Sequence, residues 1–223
     1  MRKFCLTIIV LASFSKALFA QFGNCTASEM QTYTDRETGN TITILTDTLK
    51  NDRFLYQTDP MWTFDGKYLL FRSSSRGNDK KIERTLPNGE KRSWTPTQIY
   101  FIEMATGQII QATEGPDLGS AFLANKSNRM FISRKEKEDW NLYVMNLDKF
   151  FADVKKGKVG KPAVYETLLG TFPTNMGRPG GYAVDCNDDY AYITVEREGT
   201  EEERERMAKN AFLPESNQPV KIK

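Results

Sequence analysis

The sequence predicts an all-β protein made of repeated four-stranded antiparallel sheets. Residues 59–113 contain four short runs rich in aromatic and branched side chains, and such runs favour strands. Asp65-Gly66 and Thr106-Gly107 are dipeptides of the kind found at tight turns between antiparallel strands. Parts of this unit recur along the chain. Because a single four-stranded meander leaves apolar side chains uncovered, it needs copies of itself to bury them.

The unit is predicted to contain four strands, at Asp59–Phe64, Lys67–Ser73, Gln98–Met104 and Gln108–Thr113. Aromatic and branched residues dominate the second strand. The third alternates around Tyr100 and Ile102 with the two-residue period of a strand. Strands separated by short turns at this spacing indicate an antiparallel meander.

The second strand recurs twice at a fixed spacing. Phe71, Ile132 and Ile193 occupy the same place in YLLFRSS, RMFISRK and YAYITVE, and each lies 61 residues from the next. The third strand recurs as NLYVMNL (141–147), and the Thr-Gly turn with its following strand recurs upstream in ETGNTITILT (37–46). A four-stranded repeat of roughly 40–60 residues is typical of a β-propeller. A β-sandwich with chance similarity is the alternative, because both folds use short alternating strands.

The predicted propeller is incomplete. Residues 30–46 supply the last two strands of a blade, two full blades follow, and residues 182–223 begin another. This gives roughly three to four blades, whereas a closed ring needs at least about four whole ones. We therefore expect the chain to be a fragment, truncated at Lys223, of a ring of about seven blades. An open ring exposes strand edges, which predicts poor solubility.

The N-terminal segment predicts secretion. Arg2 and Lys3 precede the apolar run Leu6–Phe14, which has signal-peptide length and is too short to span a bilayer. Cleavage is predicted after Ala20, so residues 1–20 are the signal peptide and residues 21–223 the exported, periplasmic protein. A buried N-terminal strand is the alternative.

The bulk composition bounds the function. Hydrophobic residues make up 39% of the 223 residues and charged residues 27%, which is sufficient for a folded core. The net charge of +2 does not predict a nucleic-acid partner, and the chain contains no histidine, the commonest acid–base and metal-binding side chain at neutral pH. Only Cys25 and Cys186 remain after cleavage, and the sequence leaves open whether they pair.

Three further segments interrupt the predicted strands. Residues 75–96 form a basic insert that is either a solvated loop or a binding loop for an anionic ligand; its cations and aromatic residue are Arg76, Lys80, Lys81, Arg84, Lys91, Arg92 and Trp94. Residues 148–162 form a second basic connection, predicted to be a solvated hairpin with a short amphipathic turn at Phe150, Phe151 and Val154. Thr200–Ala211 is predicted to be a helical insert, because Thr200 and Glu203 form a capping box.

Two stretches carry a family resemblance. Residues 59–77, DPMWTFDGKYLLFRSSSRG, together with residues 98–113, resemble the repeat of TolB-type (PD40-like) propellers. Within that superfamily, the Tyr-containing segment Phe54–Thr58 and GGYAVDCNDDYAYITVERE (180–198), followed by a helical insert, resemble the N-terminal part of bacterial oligogalacturonate lyases, which degrade pectin. The likeness covers most of Tyr33–Gly199.

The resemblance implies a seven-bladed ring that binds a short uronate oligomer in its central funnel and breaks it by β-elimination. It also implies a divalent metal, manganese or calcium, held largely by histidines. Because this chain has no histidine, no catalytic residue, metal ligand or cofactor is assigned to it. The chain would contribute scaffold and cations for substrate carboxylates, for which the candidates are Arg72, Arg134 and Arg178. Ordinary ion pairing is the alternative role of each arginine.

Three functions remain open at this stage. The first is the N-terminal portion of an oligogalacturonate lyase-like protein, inactive as this fragment, with an acidic oligosaccharide as its partner. The second is a non-catalytic periplasmic TolB-like propeller that binds a protein or a glycan. The third is the propeller of a serine peptidase without its hydrolase domain, since the chain contains no G-x-S-x-G motif.

Overall fold

The computed structural model describes residues 22–77, 81–85, 89–115, 118–137, 139–172, 179–195 and 217–221, with the backbone alone at 84, 179–182, 193–195 and 217–221. The predicted signal peptide with its cleavage site at Ala20, the candidate Arg178 and the predicted helix at 200–211 lie outside the described residues. Within the described part, no helix has the length and apolar character needed to cross a membrane.

The described chain is predominantly β. In chain order the strands are β1 Cys25–Thr26, β2 Gln31–Thr34, β3 Thr41–Ile44, β4 Asp52–Arg53, β5 Tyr68–Ser73, β6 Ile82–Thr85, β7 Lys91–Trp94, β8 Gln98–Glu103, β9 Ile109–Gln111, β10 Leu118–Leu123, β11 Arg129–Glu136, β12 Asp139–Asn146, β13 Glu166–Phe172, β14 Pro179–Val184, β15 Tyr190–Val195 and β16 Asn217–Lys221. The helix α1 spans Leu147–Lys155, and a 3-10 turn spans Pro162–Val164.

The strands form three antiparallel sheets and two hairpins. The first sheet has the order β1-β9-β8-β5-β4, the second β10-β11-β12-β13, and the third β14-β15-β16. β2 and β3 form the N-terminal hairpin, and β6 and β7 form the insert hairpin. Strands that follow one another in the second and third sheets are also hydrogen-bonded neighbours. The prediction of a β protein built from antiparallel sheets is confirmed in the coarser form that the described chain is mostly β.

The predicted first strand of the unit, Asp59–Phe64, is wrong in extent. Only Trp62 forms a bridge there, with Leu69 of β5. Arg53 of β4 already pairs with Arg72 at the other end of β5. Arg53 and Trp62 are nine residues apart, whereas their partners Arg72 and Leu69 on β5 are only three residues apart. The edge segment therefore has six extra residues, which loop out of the sheet.

The sheets stack face to face in chain order. Side chains alternate across each strand, so successive residues face opposite neighbours. Leu70 packs in one core with Ile132 of the second sheet, whereas Phe71 packs in another with Leu45 beside the N-terminal hairpin. Phe131 of the second sheet packs in a third core with Ala191 of the third sheet. Both faces of the first two sheets are therefore covered by neighbouring elements.

Helix α1 begins where β12 ends and fills one side of the core between the first and second sheets. The Asn146 side chain accepts a hydrogen bond from the Lys149 backbone N–H, which caps the helix. Phe150 and Phe151 are buried, and the Phe151 ring stacks on Tyr68 with 3.6 Å between centroids. A nine-residue helix therefore replaces the short amphipathic turn expected in this basic connection.

The turns that precede the second strand of each unit contact one another. The Asp65 N–H donates to Asn128 Oδ1 at 3.2 Å, and the Lys126 N–H donates to Asp188 Oδ2 at 2.9 Å. Asp65 and Lys126 are 61 residues apart, which is the spacing of the sequence repeat. The same position in two successive units therefore donates to the turn of the next unit. We call this series of contacts the turn ladder.

Candidate functional site

A cavity of about 180 Å³ lies on the face of the first sheet that packs toward the N-terminal hairpin. It is lined by Asn24, Thr26, Glu29, Lys50, Arg76, Tyr100, Ile109 and Gln111. Four of these residues lie on strands: Thr26 on β1, Tyr100 on β8, and Ile109 and Gln111 on β9. Asn24 directly precedes β1, Glu29 and Lys50 lie in the segments that flank the N-terminal hairpin, and Arg76 follows β5. The lining combines amide, hydroxyl and charged groups with an aromatic and an aliphatic side chain.

Arg76 is the central charged group beside this cavity. Its guanidinium donates from Nη1 to Glu29 Oε1 at 2.9 Å and from Nε to Asp52 Oδ1 at 2.9 Å. Nη2 contacts both carboxylates as well. The Arg76 side chain is only 6% exposed, and it lies over the Phe71 ring at 5.2 Å. Two carboxylates around one buried guanidinium make this a tightly paired structural cluster.

The protonation equilibria follow from this pairing. The hydrogen bond from Arg76 lowers the pKa of Glu29, and it outweighs the opposing effect of burial. Burial would lower the pKa of Arg76, but its hydrogen bonds to Glu29 and Asp52 raise that pKa overall. Glu29 and Arg76 are therefore both charged at neutral pH, and the Arg76 guanidinium is already engaged by the protein's own carboxylates.

Two of the predicted substrate-binding residues, Arg72 and Arg134, face the space between the first and second sheets. Arg72 follows Leu70 by two residues and Arg134 follows Ile132 by two, so both are on the strand faces between the first and second sheets. Arg72 donates from Nη2 to the Phe54 carbonyl at 3.3 Å. The third candidate, Arg178, lies outside the described residues.

Arg134 is engaged by an acidic partner. It donates from Nη1 and Nη2 to the two Glu166 carboxylate oxygens, each at 2.9 Å, and it lies 5.4 Å from the centre of the Tyr143 ring. Glu166 is 3% exposed. Burial opposes the charge of Arg134, but Glu166 raises the pKa of Arg134 overall. A substrate carboxylate would have to compete with Glu166, whereas Arg72 is engaged only by a neutral carbonyl among the contacts described.

The basic insert folds as the insert hairpin. Lys91, Arg92 and Trp94 are exposed on β7, and Arg92 Nε lies 3.4 Å from Glu90 Oε1. Arg76, the first cation predicted in the insert, is instead buried at the cavity. Lys80 lies outside the described residues.

The residues present do not fit a histidine-rich metal site, because the sequence contains no histidine. Among the described residues, no group of three or more cysteine, aspartate or glutamate side chains is placed to hold a metal ion. Cys25 and Cys186 are both exposed free thiols.

Comparison with known proteins gives a match at the level of structure. No family model and no curated protein matches the sequence. An oligogalacturonate lyase in complex with manganese is similar over 79% of this chain and 38% of its own, with a TM-score of 0.55 and 19% sequence identity. An oligogalacturonate lyase from Vibrio parahaemolyticus is similar over 78% of this chain and 38% of its own, with a TM-score of 0.53 and 18% identity.

This likeness shows part of a shared fold. The chain spans about two-fifths of the length of the lyases that it matches, 38% in each case. The predicted resemblance to the lyases is therefore confirmed for the fold of the matched part.

Sequence reasoning missed the Glu29–Arg76–Asp52 cluster. Glu29 lies 47 residues from Arg76 and belongs to no recognisable motif. Arg76 lies three residues after the predicted strand that ends at Ser73, and only this position distinguishes it from the other cations of the insert.

Proposed function

We propose that this chain is part of a β-propeller related to the oligogalacturonate lyases, and that it binds acidic oligosaccharides without breaking them. The observation that carries the proposal is the structural likeness to two such lyases over nearly four-fifths of the chain. Substrate and chemistry do not follow from a shared fold, so both belong to the proposal.

Two features of the fold support a propeller. Successive meanders stack face to face in chain order, which is how neighbouring blades cover one another. The turn ladder repeats one contact at the 61-residue spacing of the sequence. A repeated contact between successive units is expected when each unit is related to the next by the same rotation. A ring of about seven blades would place these sheets as adjacent sectors.

Binding without elimination follows from the residue types present. β-Elimination beside a uronate carboxylate needs a base for the proton and a cation for the developing enolate charge. The lyase resemblance implies histidines and a metal for these roles, and this chain has no histidine. Its arginines bind carboxylates well but remain protonated at neutral pH, so they are poor bases.

The test is titration calorimetry of the full chain with trigalacturonate, with neutral maltotriose as the matched control. We expect saturable binding of trigalacturonate and none of maltotriose. An ultraviolet assay for unsaturated uronate, with manganese or calcium added, is expected to show no product. Equal binding of both sugars would contradict recognition of the acidic group and favour a propeller that binds glycans without regard to charge. Binding of neither sugar would contradict an acidic oligosaccharide partner and favour a propeller that binds a protein. Turnover would contradict the absence of catalysis.

We also propose that the protein is exported to the periplasm after cleavage at Ala20. The charged start and the apolar run of residues 6–14 support this proposal. N-terminal sequencing of protein recovered from a periplasmic extract is expected to begin at Gln21, whereas an intact Met1 would contradict export by this route.

A further inference from the structure

We propose that Arg53 and Arg72, together with the loop of residues 54–60, form a binding site for one carboxylate-bearing sugar unit. The inference rests on the proposed function and assigns the residues that recognise the acidic sugar. We call residues 54–60 the edge loop.

Arg53 and Arg72 form a like-charged pair across two strands. They are directly opposite in the pairing of β4 with β5. Directly opposed residues share one face of the sheet and have Cβ atoms about 4.5–5.5 Å apart, where like charges are destabilising. An anion between the two guanidinium groups would remove this repulsion and accept hydrogen bonds from both.

The other strand arginines with described side chains have acidic partners. Arg92 lies 3.4 Å from Glu90, Arg129 lies 3.7 Å from Asp188, and Arg134 lies 2.9 Å from Glu166. Neither Arg53 nor Arg72 forms an ion pair with a carboxylate of the described residues. Arg53 is exposed, and Arg72 uses Nη2 on the Phe54 carbonyl. A guanidinium has five N–H donors, so Arg72 retains donors for a carboxylate.

The edge loop places aromatic rings beside this pair. Phe54 follows Arg53 directly, and its carbonyl is bonded to Arg72. Phe54 is 49% exposed and Tyr56 is 67% exposed, while Leu55 between them is buried in the core. Both rings are therefore exposed within three residues of Arg53 in the chain. Exposed aromatic rings beside cations suit a pyranose, which has an apolar C–H face and, in a uronate, a carboxylate at its edge.

The edge loop is anchored at both ends. Before it, the Asn51 N–H donates to Ser75 Oγ at 2.8 Å, and Asn51 Nδ2 donates to Ser74 Oγ at 2.7 Å. After it, the Met61 carbonyl accepts from the Leu70 N–H at 2.7 Å. Within it, the Asp59 N–H donates to the Tyr56 carbonyl. A loop held in this way loses little conformational freedom when a ligand binds.

Arg53→Gln is the most direct variant, because Arg53 is exposed and its loss removes one of two opposed charges. We expect its Tm without ligand to equal or exceed that of the wild type. Trigalacturonate affinity, measured by calorimetry, should fall at least about tenfold, as for loss of a charge-assisted hydrogen bond. Arg36→Gln is the matched control: Arg36 is exposed in the turn of the N-terminal hairpin, and its replacement should leave affinity unchanged.

A second variant distinguishes contact with the sugar ring from contact with its carboxylate. Tyr56→Ala should weaken binding of trigalacturonate by at least about threefold, because the exposed ring is lost. It should leave stabilisation of the protein by inorganic phosphate, followed as a shift in Tm, unchanged.

The possible outcomes distinguish failure of the proposed site from failure of the proposed function. If the wild type binds trigalacturonate and Arg53→Gln and Arg72→Gln bind it equally well, the site is wrong and the proposed function stands. If the wild type ignores trigalacturonate but phosphate stabilises it in an Arg53-dependent manner, the pair is a general anion site, and both the sugar assignment and the proposed function are wrong.

Discussion

At the scale of single residues, the Glu29–Arg76–Asp52 cluster contributes to stability more than to recognition. Its guanidinium is nearly inaccessible and already bound by two carboxylates. Removing one member of a buried ion pair leaves the other charges uncompensated, and that loss exceeds the net value of the pair.

Replacement of Arg76 by Gln is expected to lower the free energy of unfolding by roughly 2–3 kcal/mol. The full cost of a buried pair is reduced because Glu29 is 25% exposed. Urea denaturation measures the change. Arg92→Gln is the control, since Arg92 is 65% exposed and pairs with one exposed carboxylate; its effect should stay below about 1 kcal/mol. Equal effects of the two variants would contradict a structural role for Arg76.

The difference in the free energy of unfolding between the wild type and Arg76→Gln is predicted to depend on pH. Arg76 holds the pKa of Glu29 below its ordinary value of 4.5. A carboxyl group whose folded pKa is lowered contributes stability above its unfolded pKa and loses it as the pH falls through the folded pKa. The stability difference between wild type and Arg76→Gln should therefore be fully present at neutral pH and shrink below the pKa of an unfolded glutamate. A difference that grows on acidification would contradict this sign.

The sequence predicts only some of these residue roles. Arg72 and Arg134 are found by their positions on recognisable strands, but the Glu166 partner of Arg134 lies 32 residues away and no local pattern marks it. Arg53 escapes prediction because β4 is two residues long and its pairing with Arg72 depends on the looped-out edge. Pairwise contacts between distant segments decide which cations remain accessible.

At the scale of elements, the turn ladder joins one sheet to the next. Asp188 is its best-defined member, with a side chain only 1% exposed. Its Oδ1 accepts from the Asn125 N–H at 2.6 Å, and its Oδ2 accepts from the Lys126 N–H at 2.9 Å. Asp188 also has a positive φ of 62°, which Asp and Asn tolerate better than most residues.

Asp188→Ala should therefore destabilise the protein by about 2–4 kcal/mol, because two backbone donors lose their acceptor. Asp188→Asn should be intermediate, since one acceptor oxygen and the tolerance of positive φ remain. The measurement is chemical denaturation. Asp189→Ala is the control, because the neighbouring Asp189 is exposed and its carboxylate makes no hydrogen bond with the described residues. An Asp188→Ala variant as stable as this control would show that the ladder contributes little.

Most strands can be predicted from the sequence, and the exceptions have physical reasons. β5, β8, β11 and β15 are predictable because each is a short run rich in aromatic and branched residues that lies between turn signals. Helix α1 is harder, since its apolar side chains lie in a basic, glycine-containing segment that resembles a solvated loop, and burial against Tyr68 stabilises it. The edge loop is unpredictable locally because only the fixed register of β4 and Trp62 against β5 makes six residues loop out.

At the scale of the whole molecule, the sequence repeat corresponds to a stack of sheets in chain order. The first and second sheets each bury apolar side chains on both faces, so neither is stable without its neighbours. The 61-residue spacing is visible in the sequence because a repeated contact such as the turn ladder needs similar geometry in each unit. The likeness to part of the oligogalacturonate lyase fold agrees with this organisation.

The most direct test of the account is a crystal structure of the full chain with bound trigalacturonate. We expect the three sheets to be arranged as adjacent sectors around a common axis. A uronate carboxylate should lie within hydrogen-bond distance of both Arg53 and Arg72, with a sugar ring against Tyr56. Sheets arranged as a two-layer sandwich, or a sugar bound with Arg53 and Arg72 unoccupied, would contradict the account.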